Sequence, residues 1–170
     1  MKNNYKNNIL ILILLLGQLS IIWMSLPYIL CSKIILILST GFFSYAIISD
    51  FFNQEFYLLL AIIPIISLII EWKNSFGAFT AGEWKIFLIL VFVFFILILS
   101  KKIGSGDLFY FIIFCGIYGV GISLHILLIA CCTALIYIIF HNKNNIALPF
   151  LPFLFLGQWL TLITLLLLLL

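Results

Sequence analysis

Seven apolar blocks divide the chain, at about residues 9–30, 34–49, 56–70, 86–100, 108–122, 123–140 and 149–169. A helix that crosses a bilayer needs about 20 mostly apolar residues. Several blocks are shorter, so they are expected to extend by a turn into the flanking loops. The fifth and sixth blocks are nearly fused, and Gly119, Gly121 and Ser123 mark the turn between them. The first block is too long for the core of a signal peptide and no small-residue cleavage site follows it, so it reads as a retained helix that stops near Pro27. The pattern predicts an all-α fold: a polytopic membrane helix bundle of about seven transmembrane helices, forming one domain over residues 1–170.

Composition sharpens this reading. Hydrophobic types make up 66% of the 170 residues and charged types 8%, with a mean hydropathy of +1.40. A soluble domain of this size could not cover its surface with so few polar groups. A water-soluble enzyme, a disordered chain and a nucleic-acid-binding module are excluded, and the lipid bilayer is the expected solvent. The charge of +3 comes from eight Lys against two Asp and three Glu, with no Arg and no basic patch for nucleic acid. Cys31, Cys115, Cys131 and Cys132 form no CxxC pair. They read as small buried or lipid-facing hydrophobes, so neither a metal site nor a disulfide framework is expected.

The lysines set an expected orientation. With the N-terminus in the cytosol, Lys2, Lys6, Lys101, Lys102 and Lys143 lie inside, and Lys33, Lys73 and Lys85 outside. The C-terminus is then outside. The stretch from Glu71 to Lys85 becomes the main outer loop, flanked by Trp72 and Trp84 as interfacial aromatics. On this topology Asp50 and Asp107, the whole Asp content, lie on the cytosolic side at similar depth.

Ionisable groups at a membrane boundary are expensive unless used or paired. Asp107 ends the string Gly104-Ser105-Gly106-Asp107. The two glycines leave the backbone bare beside the carboxylate, open to close approach by a substrate backbone or a partner helix. Taken singly, Asp107 also reads as a helix cap after a Gly-rich turn, and Asp50 as an interfacial loop residue. Taken together, two carboxylates that can meet offer a route to peptide hydrolysis. One takes a proton from water while the other, protonated, polarises the scissile carbonyl, and the pair shares one proton.

The string Gly104-Ser105-Gly106-Asp107 resembles the GxGD signature of the type IV prepilin peptidases, bacterial leader peptidases of the membrane aspartic class. Ile47-Ile48-Ser49-Asp50, followed by Asn53-Gln54-Glu55-Phe56, is similar to the family's first-aspartate segment, and Leu148-Pro149-Phe150-Leu151-Pro152-Phe153, with Gly157 further on, to its C-terminal PFxP helix start. The three agree in order and spacing across about residues 35–160. The chain has Phe109 where the family usually has Lys, and Phe56-Tyr57-Leu58 where it often has Ile-Pro-Asn. These departures resemble the reduced forms in competence systems of low-GC Gram-positive bacteria. Only about Cys31-Ser32-Lys33 joins the first two blocks, where full-length members carry a cysteine-paired cytosolic domain.

The resemblance implies an aspartic endopeptidase that removes the short basic leader of a prepilin or pseudopilin after a Gly, on the cytosolic side of the cell membrane. Asp50 and Asp107 are its implied catalytic pair, with Gly104 and Gly106 giving backbone access. Glu55 is the acid expected to meet the basic leader, and it also reads as a plain interfacial charge. No cofactor, no zinc and no S-adenosylmethionine site is expected. Pilus or competence assembly proteins are expected partners, and nucleic acid is not. Gln18 and Gln158 read as interhelical hydrogen-bonders, His125 as a residue that can bond a neighbouring helix, and His141 as solvated. Two competing readings are an inactive scaffold of a pilus or competence machine and a small proton or cation transporter using the Asp pair.

Overall fold

A computed structural model describes residues 13, 16–53, 59–100, 104–141 and 150–169. Among these residues all regular structure is helical, in seven α-helices: α1 (Leu16–Ser25), α2 (Lys33–Asn53), α3 (Leu59–Ile70), α4 (Ala81–Leu99), α5 (Ser105–Tyr118), α6 (Val120–His141) and α7 (Leu151–Leu169), with one 3-10 turn at Phe76–Ala78. Four of them (α2, α4, α6 and α7) are long and apolar enough to cross a membrane. Large apolar side chains stand exposed along their outer faces, among them Leu88, Phe92, Leu128, Leu135 and Leu167. Such a surface suits lipid and not water.

Helix ends follow local chemistry. α1 stops at Ser25, two residues before Pro27, whose ring disfavours helical backbone in the residue before it. α4 starts at Ala81, five residues before its apolar block. The Thr80 hydroxyl accepts the Glu83 N–H and the Glu83 carboxylate accepts the Thr80 N–H, a reciprocal cap that satisfies two donors. The turn between α5 and α6 is a single residue, Gly119. Its φ of +83° lies where only glycine sits without strain. The expected boundary near residues 122 and 123 is therefore moved to 118–120.

α5 is the centre of the bundle. Ten of its 14 residues are buried, whereas only Phe87 and Phe94 are buried in α4. It packs against α2, α3, α4 and α6. Phe43 of α2 lies 4.6 Å from the Tyr110 ring and 5.2 Å from Phe114, and Phe94 of α4 stacks on Phe111 at 5.2 Å. α6 and α7 pack against each other extensively and approach closely at Gly157. A Cβ at Gly157 would come within 2.4 Å of the Ile126 carbonyl oxygen, so only glycine permits this approach.

One end of the bundle gathers the α1–α2, α3–α4 and α5–α6 junctions. There the Leu30 N–H donates to the Ile117 carbonyl at 2.7 Å, and the Ser32 N–H donates to Glu71 Oε2 at 2.8 Å. Trp72 stacks on Trp84 at 5.7 Å, within a cluster that includes Phe76, Phe79 and Phe87. The opposite end gathers the C-terminus of α2 and the N-termini of α3, α5 and α7.

Candidate functional site

At that opposite end, two carboxylates come together from α2 and α5. Asp50 lies in the last turn of α2 and is half-buried. Its Oδ2 accepts the backbone N–H of Leu151 at 3.2 Å, across 101 residues of chain. Leu151 opens α7, so the carboxylate satisfies a donor that no helical carbonyl reaches and faces the positive end of the helix dipole. The PFxP-like start of α7 and the first Asp are thus joined by a bond.

Asp107 is the third residue of α5 and is 7% exposed. Its Oδ2 accepts the Gly104 N–H at 3.2 Å, and its own N–H donates to the Gly104 carbonyl at 3.3 Å. The carboxylate thus closes the first turn of its own helix. The expected cap is present, but α5 starts at Ser105 and carries the Asp inside it. The Asp50 charge acts on the Asp107 carboxyl, so the two side chains share one electrostatic environment. Two like charges repel more strongly in a partly buried place than in bulk water, where the solvent screens the field.

The floor beneath the pair is apolar. Ile47, one turn before Asp50, is 1% exposed, and Tyr110, one turn after Asp107, is fully buried with its hydroxyl 3.4 Å from the Leu60 carbonyl. Gly104 is exposed in extended backbone, and a Cβ there would sit 3.6 Å from Asp107 Oδ2. That is ordinary contact. Glycine at 104 leaves the space of one methyl group beside the buried carboxylate and answers no backbone strain. Gly106 is buried in the first turn of α5. On α6, Cys131 stands twelve residues past Gly119, as Asp107 stands twelve before it, and the Asp107 charge reaches its thiol.

Several expected residues fall elsewhere. Glu55, Lys101, Lys102 and Pro149 lie outside the described residues, as does the side chain of His141. Phe109 is half-buried in the first turns of α5. Among the described residues His125 bonds within its own helix and not to a neighbour: it is exposed, and its Nδ1 lies 3.0 Å from the Gly121 carbonyl. The reason is the short reach of the imidazole, which meets the i−4 carbonyl first. Gln158 does bond between helices, donating from Nε2 to the Tyr118 hydroxyl at 2.9 Å. Gln18 does not: it is buried with neither amide atom partnered among the described residues. Cys31 and Cys115 are buried, and Cys131 and Cys132 are exposed. Among the described residues no three His, Cys, Asp or Glu side chains converge.

Sequence reading missed Leu151 as a partner, because a backbone donor has no side-chain signature. It also missed the Glu71–Ser32 and Trp159–Ser20 bonds, at 2.8 and 3.0 Å, which tie distant segments. No family model, curated protein or solved structure matches the chain.

Proposed function

We propose that this protein is a prepilin-type leader peptidase of the cell membrane, with Asp50 and Asp107 as its catalytic carboxylates. The observation that carries the reading is that the only two aspartates of the chain, 57 residues apart in sequence, lie at the same end of an apolar bundle, near enough for the Asp50 charge to act on the Asp107 carboxyl. The GxGD-like string around Asp107 supports it. So does the bond from Asp50 to the PFxP-like start of α7.

In this reading the N-terminus and the Asp end face the cytosol, and all seven helices lie in the membrane. The apolar helix of a prepilin or pseudopilin lies in the bilayer and brings its Gly-ended leader to the interface. One carboxylate takes a proton from water and the other donates one to the scissile carbonyl. The missing side chain at Gly104 leaves room for the peptide backbone to approach Asp107. Glu55 meets the basic leader. Pilus or competence assembly proteins are the wider partners.

The test is co-expression with a tagged prepilin carrying a Gly-ended leader, followed by size on a gel. Asp50→Asn and Asp107→Asn are the informative variants, because an amide oxygen still accepts the Leu151 and Gly104 N–H groups. Both variants should reach normal membrane levels and lose cleavage by about 10²- to 10⁴-fold. Cleavage that survives either change removes that Asp from the chemistry. Absence of cleavage by the well-expressed unmutated protein, across the candidate pilins, would favour the scaffold or transporter reading.

A further inference from the structure

A cavity of about 380 Å³ opens on the outer side of the α2–α3 pair, lined by Ile37, Leu38, Gly41, Phe42 and Tyr45 of α2 and Leu60 of α3. Its walls are apolar apart from the Tyr45 hydroxyl. Ile37 and Tyr45 are 56% and 57% exposed, so the cavity faces outward and is not sealed inside the bundle. No contact within the chain explains Gly41. A Cβ there would meet nothing within 4 Å, and its φ is not positive. Glycine inside a helix costs stability relative to alanine, because it packs nothing and loses more backbone freedom on folding. Gly157 answers that cost with a close approach to the Ile126 carbonyl. Gly41 leaves the same kind of space on an outer face, where a small residue lets a second helix bring its backbone near.

The cavity leads to the carboxylates. Ile37, Gly41 and Tyr45 follow one another about one turn apart along α2, spanning about 12 Å. Asp50 comes five residues after Tyr45, about 7–8 Å further along the axis. Leu60 lines the other wall, and its carbonyl lies 3.4 Å from the hydroxyl of Tyr110, one turn after Asp107. Both walls thus run to the level of the acid pair. A substrate that is cut there and continues as an apolar helix needs a track that starts at the carboxylates and runs away from them on an open, apolar face.

We propose that the α2–α3 cavity docks the apolar helix of the prepilin or pseudopilin, with the helix backbone against Gly41. The proposal rests on the peptidase reading and adds a register to it. A helix lying along α2 rises about 1.5 Å per residue, so its residue about five places after the scissile bond lies at Tyr45, about nine at Gly41 and about thirteen at Ile37. The contact is remote from the reacting atoms and holds substrate and transition state alike. It therefore sets KM and leaves kcat alone.

Site-specific photo-cross-linking tests the docking without reference to cleavage. In membranes holding the full chain and a tagged prepilin, p-benzoylphenylalanine replaces Tyr45, Ile37 or, as a control, the exposed Ile89 of α4. The probes at 45 and 37 should join the prepilin about five and about thirteen residues after its scissile bond, and the probe at 89 should not join it. In the cleavage assay, Gly41→Leu should raise KM by about tenfold or more with kcat unchanged, as loss of docking requires. Gly121→Leu on α6 is the matched control, because Gly121 is also exposed and a Cβ there meets nothing within 4 Å. It should leave both constants unchanged. Cleavage that continues while the probes join only a second copy of the chain, or no prepilin, overturns the docking site and leaves the peptidase reading standing. An unchanged KM in Gly41→Leu does the same. Cross-links at the expected residues without cleavage by the unmutated protein keep the docking site and remove the catalytic reading. Neither cross-links nor cleavage, with good expression, removes both.

Discussion

Asp50 and Asp107 each accept a backbone N–H at a helix N-terminus, so in the proposed peptidase a structural task and a chemical one would fall on the same atoms. The tasks separate by substitution. Asn keeps the acceptor, whereas Asp50→Leu leaves the Leu151 N–H unpaired and should lower stability by about 1–3 kcal/mol, seen as a lower melting temperature in detergent. Gly104 allows the converse separation. Gly104→Ala places a methyl 3.6 Å from Asp107 Oδ2 without a clash. It should fold to normal levels and cut cleavage by about tenfold or more, because the backbone of the peptide can no longer take its place beside the carboxylate. Full activity in this variant would show that substrate comes from another side. The pair itself is legible in the sequence, since two acids at the ends of apolar blocks stand out in a chain so poor in charge. Their partners are not, because Leu151 and Gly104 act through backbone groups. Gln18 shows a further limit. Its residue type announces a need for a hydrogen bond, but only the structure shows that no described residue supplies it.

At the scale of helices, the block pattern gives the number and order of elements, and caps give their ends. Thr80 and Glu83 start α4 five residues ahead of its apolar block, and the three-residue spacing of that pair is a readable signature. Gly119 ends α5 four residues before its block does, because a positive φ cannot continue a helix. The seam between α6 and α7 is less legible. Gly157 lies in an apolar run whose spacing does not reveal that the Ile126 carbonyl would be 2.4 Å from a Cβ there. Gly157→Ala should force the two helices apart at a cost of about 1–3 kcal/mol. Since α7 carries the Leu151 N–H, the change should also weaken the tie to Asp50. A melting temperature equal to that of the unmutated protein would refute the tight crossing.

The whole molecule is a bundle of unequal lengths around a short centre. α5 has 14 residues and α6 has 22, about 21 and 33 Å long. A bilayer core is about 30 Å thick, so α5 alone would be mismatched. It is not alone, because four helices surround it and ten of its residues are buried. The protein, and not the lipid, therefore sets how deep Asp107 sits. The outer helices α4 and α6 can tilt to follow membranes of different acyl-chain length, while the central helix keeps its register against α2 and α3. Cleavage in vesicles of 14- to 22-carbon phosphatidylcholines should vary by less than about threefold, because mismatch costs only fractions of a kcal/mol per Å and falls on helices that carry no carboxylate of the pair. A sharp optimum at one chain length would mean that lipid reaches α5. If the proposed peptidase site is at Asp107, a shielded short helix would let it tolerate changes in membrane thickness, such as those that accompany growth at different temperatures.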